Sequence, residues 1–139
     1  MLERLDLGGV FKLIIASGGA CASYLFGGWS QLLGILLAFV VIDYIAGVSA
    51  SAIEGKLSSN IGRKGIAKKV FIFVIVAVAH LVDAALGGGN FFRDATIFFY
   101  LANETLSILE NAGRIGLPIP EVLQQAIEIL KGKSQKQEQ

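Results

Sequence analysis

The sequence predicts an all-α, multi-span integral membrane helical bundle with a short amphipathic C-terminal helix. Three observations lead there. Four stretches approach the roughly 20 apolar residues that a membrane helix needs. Charged residues make up only 17% of the chain, against about 25% in a soluble domain. The charge also collects at the N-terminus, in the segment 54–69 and after Ile129. The stretch from Asp43 to Lys69 joins these themes, because Lys56, Arg63, Lys64, Lys68 and Lys69 stand between two long apolar runs. Cations in that position mark the cytoplasmic side of a spanning protein.

The spans are predicted at about 9–26, 29–52, 66–86 and 91–111, within a transmembrane domain of residues 1–113. The start MLERLDLGG has one cation against two acids and does not read as a signal peptide, so the first run is taken as a retained span. Lys12 near its start can snorkel to the interface. Gly27-Gly28 and Gly87-Gly88-Gly89-Asn90 form short connectors without cations. Trp29, Phe91 and Phe92 lie beside them, as interfacial aromatics do. The cations fall instead in 54–69 and after the fourth span, which predicts both termini in the cytoplasm. The fourth segment is the most polar, and the alternative is three spans with the first or fourth segment lying along the surface.

Residues 114–139 form the cytoplasmic part. Pro120 suits the first turn of a helix. Val122, Leu123, Ala126, Ile127 and Leu130 recur at helical spacing, with Glu121, Gln124, Gln125 and Glu128 opposite. The polar tail KGKSQKQEQ carries no apolar residue and is expected to be disordered.

Several polar residues sit where lipid should reject them. On span two, Asp43, Gly47, Ala50 and Glu54 share one helix face by their spacing. A carboxylate in the hydrocarbon costs roughly 2.5–3.5 kcal/mol on insertion scales, so Asp43 should be protonated, paired or facing water. On span four, Arg93, Thr96, Tyr100, Asn103, Ser107 and Glu110 make a polar stripe, with Glu104 beside it. That face is either buried in a bundle or lines a hole made by several copies. On span three, His80 and Asp83 lie three apart. Together these are the candidate pore-lining or interhelical polar residues. Small residues Ala16, Gly19, Ala20 and Ser23 on span one, with Gly47 and Ala50, are candidates for close helix packing. Cys21 reads as a small packing residue, with a cross-link between subunits as the alternative.

Other functions are excluded by what is missing. A single His and a single Cys allow neither a zinc site nor a nucleophilic triad. Gly62, Gly65 and Lys68 lack the phosphate-loop spacing. No catalytic residue, metal or cofactor is expected. A net charge of +1 gives no case for nucleic acid, although the basic segment attracts anionic lipid headgroups.

The motifs DYIAG (Asp43–Gly47), KLSSNIGRKGIAKK (Lys56–Lys69), NETLSILEN (Asn103–Asn111) and IGLPIP (Ile115–Pro120) occur in an order and spacing that resemble the phage-lysis and toxin-secretion holin family, holin superfamily IV. The resemblance runs from about Leu32 to Leu130. It implies a non-enzymatic, pore-forming homo-oligomer in the inner membrane of the bacterial host. Such proteins form lesions that pass a cell-wall hydrolase (endolysin) or collapse the membrane potential during host cell lysis, and some relatives are reported to release toxins. The family is usually described with about three spans, one fewer than the count above. A regulatory scaffold such as an antiholin and a small selective channel subunit are the alternative functions.

Overall fold

The computed structural model describes residues 6–126, Glu128 and Ile129, and it is all-helical over those residues. Four long helices are present: α1 (Leu7–Phe26), α2 (Gln31–Ile53), α3 (Ser59–Ala85) and α4 (Phe91–Ile115). Each end has a local cause. The Asp6 carboxylate accepts from the Gly8 amide at the start of α1. Ser30 caps α2 through the Leu33 amide at 3.1 Å, and Ser58 caps α3 through the Ile61 amide at 3.2 Å. Such side chains satisfy amides that have no partner inside the helix. Gly27 ends α1 with φ 72°, and Gly87, Gly88 and Gly89 turn the chain from α3 to α4 with φ of 107°, 100° and 96°. Residues with a Cβ rarely adopt those angles.

The segment 54–69 differs from the connector that its charge suggests. Only residues 54–58 separate α2 from α3, and Arg63, Lys64, Lys68 and Lys69 all lie on α3. Hydropathy marks where a helix enters an apolar phase, whereas capping marks where it begins. Here Ser58 starts the helix two turns before the apolar run.

The helices run up and down. The Gly27 turn and the Gly87–Gly89 turn share one end of the bundle. The 54–58 turn and residues 116–126 share the other, the basic end. Helix α4 packs along α2 and α3, whereas α1 touches mainly α3 and buries no residue. Leu33, Leu36, Val40, Ile72, Val76 and Ile97 form the apolar core, with Phe26, Phe73, Tyr100 and Leu101 packed around it. All of it lies in the half nearer Gly27.

Outside that core the pattern is inverted relative to a water-soluble protein. Asp43, Asp83, Arg93, Glu104 and Asn111 are buried, while Ile42, Ile45, Val70, Phe71, Val78, Phe98 and Phe99 are exposed. A surface of that kind suits lipid, with the polar groups satisfied inside. Among the described residues, α1, α2 and α3 are long and apolar enough to cross a membrane. Helix α4 is not among them; it carries Arg93, Asp94, Glu104, Glu110 and Arg114 along its length.

After α4, Gly116 takes φ 95° and the chain folds back. A helical segment then follows Pro120, whose carbonyl accepts from the Leu123 and Gln124 amides at 2.9 and 3.1 Å. Ile127, Leu130 and the polar tail lie outside the described residues.

Candidate functional site: an ionic seam inside the bundle

In the half nearer the basic end, polar side chains replace the apolar core. Asp43 on α2, Lys69 on α3 and Glu104 on α4 converge. The Lys69 Nζ donates to Asp43 Oδ2, and to Glu104 Oε2 at 2.7 Å. Asn111, two turns after Glu104, donates from Nδ2 to Asp43 Oδ1 at 3.1 Å. Arg114 then donates from Nη1 to Asn111 Oδ1 at 2.9 Å, and grips Glu54 with Nε and Nη2, each at 2.9 Å. The result is one continuous chain of contacts: Glu104, Lys69, Asp43, Asn111, Arg114, Glu54. It stitches α2, α3 and α4 from mid-bundle to the basic end.

The geometry follows from helix periodicity. Ile97, Glu104 and Asn111 are seven residues apart and so lie on one face of α4. Gly47 on α2 makes room for the amide, since a Cβ there would stand 3.4 Å from Asn111 Nδ2. Ala50 beside it is completely buried. The small middle of the Asp43–Glu54 face thus serves the close approach of α2 and α4. The pair at the basic end is the most exposed part of the seam. There the bidentate hydrogen bond from Arg114 holds the Glu54 carboxyl below its ordinary value.

A second polar cluster ties the opposite end. Asp83 on α3 accepts from the Phe92 and Arg93 amides, each at 2.9 Å, and so caps α4 from another helix. Asn90, the residue at the cap position, makes no such side-chain bond. The buried Arg93 donates to the Phe26 carbonyl at 3.0 Å and to Asp94 at 3.1 Å. His80 packs against Gly27, where a Cβ would come within 2.6 Å of its ring. The His80 Nδ1 is buried and has no hydrogen-bond partner among the described residues.

The candidate residues therefore part company. Asp43, Glu54 and Glu104 join the seam, and Asp83 and His80 belong to the opposite cluster. Helix α4's stripe does not act as one face. Its first member, Arg93, is buried; Thr96, Tyr100 and Ser107 are half-buried; Asn103 and Glu110 are exposed. The Thr96 hydroxyl donates to the Phe92 carbonyl of its own helix at 2.7 Å. On α1, Ala16, Gly19, Ala20 and Ser23 are exposed, and Cys21 faces outward rather than into a packed interior.

Lys69 needs the largest revision. Its charge suggests a cytoplasmic loop cation like Lys56, Arg63, Lys64 and Lys68, yet it is the ammonium between two carboxylates. Asn111 was not among the candidates at all. A signal for both existed. A cation at the lip of an apolar run, facing carboxylates inside two other spans, has a reason to pair, and the seven-residue spacing of Ile97, Glu104 and Asn111 defines the inward face.

Comparison with known proteins agrees with the membrane character of this arrangement. A model of the bacteriophage holin family matches residues 20–132. The chain is 50% identical over 130 residues to an uncharacterized protein of Listeria innocua, covering 94% of this chain and 93% of that protein. It is 40% identical over 124 residues to an uncharacterized protein of Clostridium perfringens, covering 88% and 92%. A protein of Bacillus phage phi105 named as a probable holin is 34% identical over 109 residues, covering 78% of this chain and 80% of its own length. No solved structure matches the chain.

Proposed function

Since the chain belongs to the bacteriophage holin family, we propose that it oligomerises in the bacterial inner membrane and forms lesions that release a cell-wall hydrolase, or a toxin, during host lysis. One observation carries the reading. Helix α4 already spends Arg93, Glu104 and Asn111 on contacts inside the bundle, yet it still presents an exposed Asn103 flanked by the half-buried Tyr100 and Ser107. Lipid cannot satisfy that face. Other copies of the chain, or water, can. At low density the face is covered by pairing; at high density rearranged oligomers turn it toward an aqueous hole.

The topology in this reading has four crossings with both termini in the cytoplasm. Helix α4 begins at the Asp83 cap on α3 and ends beside Glu54 at the far end of α2, so it retraces the full depth of its apolar neighbours. Its 25 residues give about 37 Å at 1.5 Å per residue, enough to cross the roughly 30 Å hydrocarbon layer. The basic end faces the cytoplasm.

The test is induced expression in a bacterium together with a cytoplasmic cell-wall hydrolase. An abrupt halt in growth with release of the hydrolase is expected. The variant carrying Asn103→Leu and Ser107→Leu should insert normally and form no lesion. Unchanged leakage from that variant would rule out the lining role. A second reading, a regulatory membrane scaffold such as an antiholin, is favoured by the seam, which satisfies its ions within one chain. Harmless accumulation on expression would select it. Single-channel currents of fixed conductance would instead select a small channel subunit.

A further inference from the structure

Helices α2 and α3 are joined by the short 54–58 turn, yet they touch each other far less than α2 touches α4. The gap between them has two parts. At the basic end it is a cavity of about 360 Å³ that also borders α4, lined by the Asp43 carboxylate, Tyr44, Gly62, Gly65, Lys68 and Arg114 among others. Deeper in the bundle it becomes an apolar groove of about 300 Å³ along Leu37, Val40, Val41, Ile66, Val70 and Phe73. Tyr44 and Lys69 line both parts and stand at their border.

We propose that this gap is a binding site for one anionic phospholipid, with its headgroup phosphate in the polar cavity beside Lys68 and the upper part of an acyl chain in the apolar groove. The inference rests on the reading that the basic end meets a headgroup layer. At the mouth the Tyr44 side chain packs on two glycines: a Cβ at Gly65 would stand 3.4 Å from the ring, one at Gly62 would stand 3.5 Å from the hydroxyl, and that hydroxyl donates to the Gly62 carbonyl at 3.5 Å. A larger side chain at Gly65 would press on Tyr44 and crowd the lining of the cavity. The polar cavity also has a cation to spare. Lys69 and Arg114 are committed to the seam, but Lys68 is exposed and makes no ion pair among the described residues. Arg63 and Lys64 add exposed charge in the turn before it on α3. Leu37 and Tyr44 are seven residues apart, so the groove runs about 10 Å below the cavity at 1.5 Å per residue. That depth suits the first half of an acyl chain. A cavity with an uncommitted Lys68 beside an apolar groove selects an amphiphile over a free anion.

The test uses the purified full-length chain in neutral detergent, with native mass spectrometry against added phosphatidylglycerol and phosphatidylcholine. The wild-type chain should retain a single phosphatidylglycerol about tenfold more tightly than phosphatidylcholine, as expected for two or more cations near one phosphate. Gly65→Leu and Val41→Trp should abolish retention, each blocking a different part of the gap. Lys68→Gln, on an exposed side chain, should weaken it about fivefold; Lys12→Gln, on α1 and outside the lining of the cavity, should leave it unchanged. Circular dichroism checks that each variant is folded, and should Gly65→Leu unfold, the Lys68→Gln comparison decides. Equal retention of both lipids would overturn the proposal, as would retention that survives Gly65→Leu in a folded chain. Displacement of the lipid by inorganic phosphate would make the cavity a phosphate site instead. Lipid-free dimers that Val41→Trp dissociates would make a second copy the occupant. None of these readouts depends on whether expression lyses a cell, so the lesion reading and the lipid site fail separately.

Discussion

The two halves of this bundle hold the same three helices together by different means. Toward Gly27, α2, α3 and α4 meet through Leu36, Val40, Val76 and Ile97, which have nothing to lose in lipid except packing. Toward the basic end they meet through Asp43, Lys69, Glu104 and Asn111, which have everything to lose. In water the apolar half would be the strong one. In a bilayer the hydrophobic term between helices vanishes, because lipid tails are as apolar as leucine. Register and partner choice then fall to the polar half, where a wrong pairing leaves an ion without its counter-ion.

The largest test of that contrast removes the shared cation. Lys69→Met leaves Asp43 and Glu104 facing each other unpaired, and should cost about 3–5 kcal/mol of bundle stability. Leu36→Ala in the apolar half should cost on the order of 1–2 kcal/mol, because only the cavity is charged against it. Reversible unfolding in mixed micelles measures both, and equal costs would erase the distinction between the halves. Next in size, replacing all three ions together (Asp43→Leu, Lys69→Met, Glu104→Leu) should recover most of the loss, to within about 1–2 kcal/mol of wild type, since a well-packed apolar cluster can replace an ion cluster. Failure to recover would show that the seam supplies more than mutual neutralisation.

At the opposite end, Asp83→Ala frees two amides at the start of α4 and should cost about 1–2 kcal/mol, as loss of a cap does. Hydrogen exchange at Phe92 and Arg93 should rise while the seam stays protected. The smallest effect is the pH response of Glu54. Its carboxyl is held below the ordinary glutamate value of 4.5, first by the hydrogen bond from Arg114. The unfolded chain therefore takes up the proton first. The pair's contribution is complete above pH 4.5 and is lost as pH falls through the lower folded value. Melting curves between pH 7 and pH 3 should show this loss, and Arg114→Gln should remove it. High salt should weaken it too, because the pair is exposed.

Much of the fold was legible in advance. The all-helical class follows from composition, and the turns at Gly27-Gly28 and Gly87–Asn90 follow from their glycines, whereas the caps at Ser30 and Ser58 and the stop at Gly116 emerged with the structure. The start of α3 was less legible from hydropathy, because Arg63, Lys64 and Lys68 hide two helical turns in a polar stretch. The site was legible in kind and not in pairing. Asp43, Glu54 and Glu104 stand out as carboxylates that lipid rejects. Their partners, Lys69, Asn111 and Arg114, look like a loop cation, a span end and a tail cation. Asn103 and Ser107, in turn, seemed continuous with Arg93 until α4's rotation split the stripe.

By itself, then, the sequence determined the solvent and the class: where apolar length, sparse charge and cation placement agree, a chain must form helices in a bilayer, because every backbone group has to be satisfied within its own segment. Only the tertiary structure decided which polar groups meet. That choice depends on the rotation and depth of each helix, and those are set by interhelical contacts such as Gly47 against Asn111. Asp43 carried the same costly charge on either account; packing three helices around it is what supplied Lys69.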